Sequence, residues 1–125
     1  MAACLHNNLT AAKFAAAATP ITTSYTIMDG LCCGTVSPIS WPTLQHGVDA
    51  SLTITDRECH AALQYLHAHS VDAGPCGAAP LAGLLKLVEA DKTAAGAPDL
   101  LNRDSVIVLL CTEGKRWYKA PSPAL

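Results

Sequence analysis

The chain has 125 residues, the length of one ordinary domain. Half of them are apolar and only 14% are charged, against about 25% in a typical soluble domain, and the formal net charge is −2. This excludes a disordered chain and the basic footprint of a nucleic-acid binder, and so little charge on a small domain implies that something else covers part of its surface.

Residues 2–18 are rich in Ala and stop at Thr19-Pro20, which predicts a helix ended by the proline. ITTSYTI (21–27) alternates apolar and polar positions with β-branched residues and predicts a half-buried strand closed by the Asp29-Gly30 turn. LCCGTVSP (31–38) has no clear period and reads as a loop. Ser40 can cap a short helix that starts with Trp41-Pro42 and runs to Gly47. ASLTIT (50–55) predicts a second strand, and Asp56 suits the N-cap of a helix to about His69, with Ala61, Ala62, Tyr65, Leu66 and Ala68 at helical spacing. Gly74-Pro75 breaks the chain before the next helix, which starts near Cys76 and sets Leu81, Leu84, Leu85 and Val88 on one face, with Lys86 and Glu89 pointing away. After the linker TAAGAPD (93–99), SVIVLLCT (105–112) is a continuous apolar run, the pattern of a strand buried on both faces of a parallel sheet. The alternation of helices and strands implies an α/β layered sheet, with ligands beyond the carboxyl ends of the strands.

Lys13, Pro20 and the Asn7-Asn8 pair keep the apolar N-terminal region short of the roughly 18 residues of a membrane span. That region also lacks a basic n-region and Arg, which argues against a secretory signal and a mitochondrial transit peptide and leaves the cytoplasm as the default expectation. Six cysteines (Cys4, Cys32, Cys33, Cys59, Cys76, Cys111) are irregularly spaced without a C-x-x-C pair, so reduced, mostly buried thiols are expected rather than a disulfide framework or a zinc ribbon. Cys59, His60, His67 and His69 cluster on one predicted helix, with His60 and His67 at i, i+7. Metal ligation needs three or four converging groups, and surface histidines are the simpler reading. No G-x-S-x-G elbow is present to support a Ser-His-Asp arrangement.

The most informative window is VDAGPCGAAPLAGLLKL (71–87). A glycine-bounded loop delivers Cys76 to the first turn of a small-residue helix, where free N–H groups and positive potential favour the thiolate or a hydrogen-bonding role in a pocket. Gly-Pro-Cys-Gly suits a plain tight turn before a packing helix equally well.

This window resembles a segment of fold-type II pyridoxal-phosphate enzymes, the tryptophan-synthase-β-like superfamily, in which a short Gly-containing loop with Ser, Thr or Cys opens an Ala-rich helix. TIMDGLCCGTVSPISWPTLQHGVDASLTITD (26–56) is similar to a run of the diaminopropionate ammonia-lyase-like branch, and VIVLLCTEG (106–114) to its final strand and T-E-G turn. The resemblance implies a C-terminal part, residues 1–118, of a three-layer α/β/α sandwich with a mostly parallel sheet, followed by a loose Pro-rich tail, 119–125. It implies pyridoxal 5'-phosphate as cofactor, with Cys76, Gly74, Gly77, Thr112 and Glu113 near it and the Cys76 thiol on the pyridine nitrogen; for Thr112 and Glu113 a capped strand end is an equal alternative. A neutral thiol does not hold a proton on that nitrogen as an aspartate does, which suits β-elimination from a small amino acid over transamination. The family's Schiff-base lysine and phosphate loop belong N-terminal to the matched region, and none of Lys13, Lys86, Lys92, Lys115 and Lys119 stands in the lysine's context. The isolated chain is therefore expected to be inactive, without nucleic-acid or membrane partners, and to self-associate through apolar faces or to persist as a truncated module packed on a full-length homologue. Pro75 stands where many relatives have Glu, which leaves the substrate open.

Overall fold

Helix starts, small residues and one helix stop organise the chain. A computed structural model describes residues 20–93 and 101–122, with the backbone alone for 91–93. The predicted helix at 2–18, most of the linker and the last three residues lie outside the described residues. The chain divides into two units, Met1–Thr53 and Ile54–Leu125.

In the first unit, a 3-10 turn at Asp29–Leu31 follows the 21–27 segment, which has no regular secondary structure, and α1 spans Trp41–Gly47. The helix has the expected bounds, with Pro42 in its first turn, where the missing N–H has no intrahelical partner in any case. Ser40 holds the N-cap position but makes no side-chain cap bond; its backbone N–H and that of Trp41 both donate to the Ser37 carbonyl, at 3.1 and 3.0 Å. Thr26, Ile27, Met28 and Trp41 are buried, and the Thr26 hydroxyl accepts from the Met28 N–H at 3.2 Å.

The second unit is built on two helices, α2 (Asp56–Ala68) and α3 (Pro75–Thr93), packed together. The N-cap of α2 is Thr55, one residue before the expected Asp56. Its hydroxyl accepts from the Glu58 N–H at 3.2 Å while the Glu58 carboxylate accepts from the Thr55 N–H at 2.5 Å, a complete capping box. Lys86 of α3 reaches the same carboxylate at 3.1 Å. Burial of Glu58 opposes ionisation, but the Thr55 N–H, Lys86 and the Thr55 hydroxyl outweigh it and hold the carboxyl below its usual range. At the other end, the Val71 N–H donates to the Leu66 carbonyl and the Ser70 N–H to the His67 carbonyl, the paired bonds of a Schellman stop. Ser70 takes the left-handed conformation there, at φ 61°, where glycine is the usual occupant.

The buried seam differs from the one that apolar spacing predicts. On α2 it is Cys59, Ala62 and Leu63, while Tyr65 is exposed; on α3 it is Ala78, Ala79 and Ala82, while Leu85 is 52% exposed. Two backbones approach closely only where the facing side chains are small, so alanines take the contact and the leucines are displaced to its flanks. Pro80 lies inside α3 and cannot donate to the Cys76 carbonyl four residues back.

The segments expected as strands, 21–27, 50–55 and 105–112, form no ladder among the described residues; the one bridge there is antiparallel, Ala73 with Gly114. The 105–112 segment, expected to be buried on both faces, is exposed throughout. An apolar, β-branched pattern fits a segment for a sheet, but the ladder also needs a neighbouring strand in register, which no described segment supplies.

Ser70→Gly removes the Cβ from a left-handed position. It is expected to stabilise the second unit by about 0.5 kcal/mol or more, read as a higher urea midpoint with an unchanged m-value.

Candidate functional site

The start of α3 leaves backbone N–H groups without intrahelical partners and carries positive potential. Glu113 meets both. Its carboxylate accepts from the Cys76 N–H at 2.6 Å and from Arg116 Nε at 2.8 Å, and its backbone carbonyl accepts from the Gly74 N–H at 2.9 Å. The Lys115 N–H donates to the Asp72 carbonyl at 3.1 Å, so residues 113–115 lie alongside 72–74. Burial of Glu113 opposes ionisation, but Arg116, the Cys76 N–H and the Cys76 thiol outweigh it and hold the carboxyl below its usual range.

Glycine is required at two of these positions by close approach. A Cβ on Gly74 would collide with the Gly114 carbonyl and stand 2.6 Å from Glu113 Oε2; one on Gly77 would collide with the Glu113 carbonyl and stand 2.8 Å from the Cys111 sulfur. Both glycines are buried. Gly47, by contrast, has nothing within 4 Å of the place a Cβ would take.

The structure thus brings together four of the five residues singled out in the sequence: Gly74, Cys76, Gly77 and Glu113. Thr112 is exposed and lies outside the hydrogen-bonded cluster. Cys76 is half-buried, and its thiol donates to Glu113. Neighbouring Cys59 is fully buried, its Sγ donating to the Pro75 carbonyl at 3.1 Å; burial and the charges of Asp56, Cys76 and Glu113 push its thiol up to about 12, so it stays protonated. All five described cysteines are free, but Cys59 alone is buried while Cys33 and Cys111 are exposed, which corrects the expectation of mostly buried thiols.

The histidines of α2 do not converge. His60 Nδ1 lies 2.6 Å from the Tyr118 hydroxyl, His67 Nε2 donates to the Ala73 carbonyl at 2.8 Å, and His69 Nδ1 donates to the Tyr65 carbonyl at 2.8 Å. No group of three His, Cys, Asp or Glu able to hold a metal ion occurs among the described residues. Arg116 and Tyr118 were not singled out in the sequence. The opposite charges three apart at Glu113 and Arg116 are the one local signal for the first; Tyr118 meets His60 across 58 residues, beyond any local pattern. Among the lysines, Lys86 is paired with Glu58, Lys115 and Lys119 are exposed, and Lys13 lies outside the described residues. No described helix is long and apolar enough to cross a membrane.

A thiol thus stands at the opening of a small-residue helix, with the backbone before and after it fixed by glycine contacts. The sequence model of the pyridoxal-phosphate dependent enzyme family matches residues 3–112. The chain belongs to that family, whose members depend on pyridoxal phosphate as cofactor. Comparison with curated proteins returns no match, and neither does comparison with solved structures.

Two outcomes test this construction. Gly77→Ala is expected to cost about 1–3 kcal/mol in urea unfolding, because its Cβ meets backbone, whereas Gly47→Ala should be neutral or stabilising by up to about 1 kcal/mol. Glu113 has a lower pKa folded than unfolded, so the stability it adds is fully present above the unfolded value of about 4.3 and is lost as pH falls through the folded one. Glu113→Gln should therefore lower stability at pH 7 by about 1.5–3 kcal/mol, with the gap from the wild type narrowing below pH 4.3.

Proposed function

We propose that this chain is the C-terminal portion of a pyridoxal-phosphate dependent lyase that acts on a small amino acid by β-elimination, in the manner of the diaminopropionate ammonia-lyases. Family membership and the half-buried Cys76 thiol at the opening of α3 support this reading. The α/β/α sandwich with a mostly parallel sheet and a cytoplasmic location go with it.

The donor set fits one edge of the cofactor. The pyridine nitrogen accepts a single hydrogen bond, and the one S–H of Cys76 would turn from Glu113 to supply it, leaving Glu113 held by Arg116 and the Cys76 N–H. Glu113 does not compete for that place as an acid, since Arg116 and the Cys76 N–H keep it ionised. Its part is to anchor the Cys76 backbone, while Gly74 and Gly77 let the 113–114 segment come close enough to do so. Bound pyridoxal phosphate supplies an electron sink for the charge released at the substrate's α-carbon. A neutral partner at the ring nitrogen tempers that sink, which favours departure of a β-substituent over transamination. Thr112 follows the apolar run at its carboxyl end, where the open-sheet rule places ligands. The Schiff-base lysine and the phosphate loop are assigned to the part of the enzyme N-terminal to the matched motifs, so these 125 residues alone are inactive.

A second reading, a non-catalytic module that packs on a full-length homologue or on itself, draws on the exposed apolar run at Val106–Leu110. Saturating 4-deoxypyridoxine 5'-phosphate, which has the ring and phosphate but no aldehyde, separates the two. Under the first reading it slows alkylation of Cys76, Cys76→Ser keeps its affinity, and Cys76→Ala weakens it about 5- to 10-fold. An unchanged alkylation rate at Cys76 with the analogue shown by equilibrium dialysis to be bound sinks the ring-nitrogen assignment. With pyridoxal phosphate itself, a dialysis-stable, borohydride-fixed adduct at one lysine would overturn the expected inactivity of the isolated chain.

A further inference from the structure

A concavity of about 570 Å³ lies between α2 and residues 115–118. Leu63, itself buried, contributes an apolar wall; His60 and His67 line it from α2, and Lys115, Trp117 and Tyr118 from the facing segment. None of its lining residues is acidic, although the chain as a whole is net negative. Glu58 and Glu113, each two residues in sequence from a lining residue, are engaged elsewhere, Glu58 by Thr55 and Lys86 and Glu113 by Arg116 and the start of α3.

The polar atoms here are donors or can become donors. His67 Nε2 is committed to the Ala73 carbonyl, which fixes its tautomer and its ring. His60 and Tyr118 share one hydrogen bond at 2.6 Å; when the phenol donates to Nδ1, His60 carries its proton on Nε2, and when the imidazolium donates, the phenol proton is released for another acceptor. Burial raises the Tyr118 pKa further above neutrality, so the phenol keeps its proton. Lys115 adds an ammonium on an exposed side chain, its backbone fixed by the N–H bond to the Asp72 carbonyl. Trp117 is 85% exposed, an uncommon setting for the largest apolar ring, and its indole offers a stacking surface beside these donors.

We infer that this groove binds a small aromatic anion, an aryl phosphate or aryl carboxylate, with the ring against Trp117 and Leu63 and the anionic group toward Lys115 and the His60–Tyr118 pair. The site shares no lining residue with the Cys76 cluster apart from Arg116, whose guanidinium is taken by Glu113, and it stands whether or not the cofactor reading holds.

Trp41 is 1% exposed, so ligand-induced changes in tryptophan emission report on Trp117. Phenyl phosphate titrated into the full chain should give a saturable change, with a dissociation constant on the order of a millimolar or below. Inorganic phosphate, which tests charge alone, and benzyl alcohol, which tests the ring alone, should each bind at least about 10-fold more weakly. Lys115→Gln, at an exposed position, should weaken phenyl phosphate about 5-fold or more while the far-UV spectrum and the urea midpoint stay unchanged. Benzoate in place of phenyl phosphate tells which anionic group is preferred. The inference is overturned by any of three results: no saturable binding by emission and by saturation-transfer NMR, unchanged affinity in Lys115→Gln, or inorganic phosphate binding as tightly as phenyl phosphate.

Discussion

The second unit depends on one carboxylate at one helix start. Glu113 is partly buried, its side chain 24% exposed, and it is held ionised by Arg116, the Cys76 N–H and the Cys76 thiol. Charge-assisted bonds of this kind contribute about 1.5–3 kcal/mol each, whereas an exposed pair such as Lys86 with Glu58 contributes about 0–1. The position of residues 113–118 is therefore governed by Glu113, with the α2–α3 ion pair a minor addition. The same carboxylate explains Gly74 and Gly77. Without a Cβ at either, the 113–114 backbone can approach until the Gly74 N–H and the Cys76 N–H both reach Glu113.

Apolar periodicity located α2 and α3 but misjudged their faces. Spacing rules weigh every apolar residue alike, so the leucines of α3 outscore the alanines. Packing weighs the distance between backbones, and here Ala78, Ala79 and Ala82 win because they let α2 come close, with Cys59 and Ala62 equally small on the other side. Helix starts were legible to within one residue, since capping is local chemistry: Thr55 replaced Asp56 because the hydroxyl stands three residues before Glu58, the spacing of a capping box; the end of α3 was not, since it runs on to Thr93, the first residue of the expected linker. Strands are different in kind. The alternation in ITTSYTI and the continuous run in SVIVLLCT report fitness for a sheet, but a ladder is a relation between segments, and no described segment completes it.

The site was legible where glycine and cysteine mark special backbone or special chemistry. Gly74, Cys76 and Gly77 stand within four residues, and the T-E-G turn supplied Glu113, so a short motif and its resemblance were enough to name them. Nothing in the motif foretold that Glu113 would turn to the start of α3 rather than line an open strand end beside Thr112. That outcome follows from potential: an isolated helix N-terminus attracts the nearest flexible anion, and Arg116 neutralises the charge once it is buried. His60 stood out only as one of a histidine cluster; Tyr118 and the groove the two form were invisible because they lie 58 positions apart.

The low charge that opens the sequence has a consequence for how function and stability are tied. With only ten acidic residues, two of those described, Glu58 and Glu113, each serve a helix start and an ion pair at once. Under the proposed reading, the thiol that faces the cofactor's ring nitrogen is positioned by Glu113, which also holds the segment behind it. A change that releases Glu113 therefore disturbs the proposed ring-nitrogen contact and the packing of 113–118 together. Cys76→Ser, by contrast, leaves the backbone N–H and its bond to Glu113 in place. Substitution of the side chain alone separates the chemistry of the site from the scaffold that carries it, which is possible because Glu113 grips the main chain of residue 76.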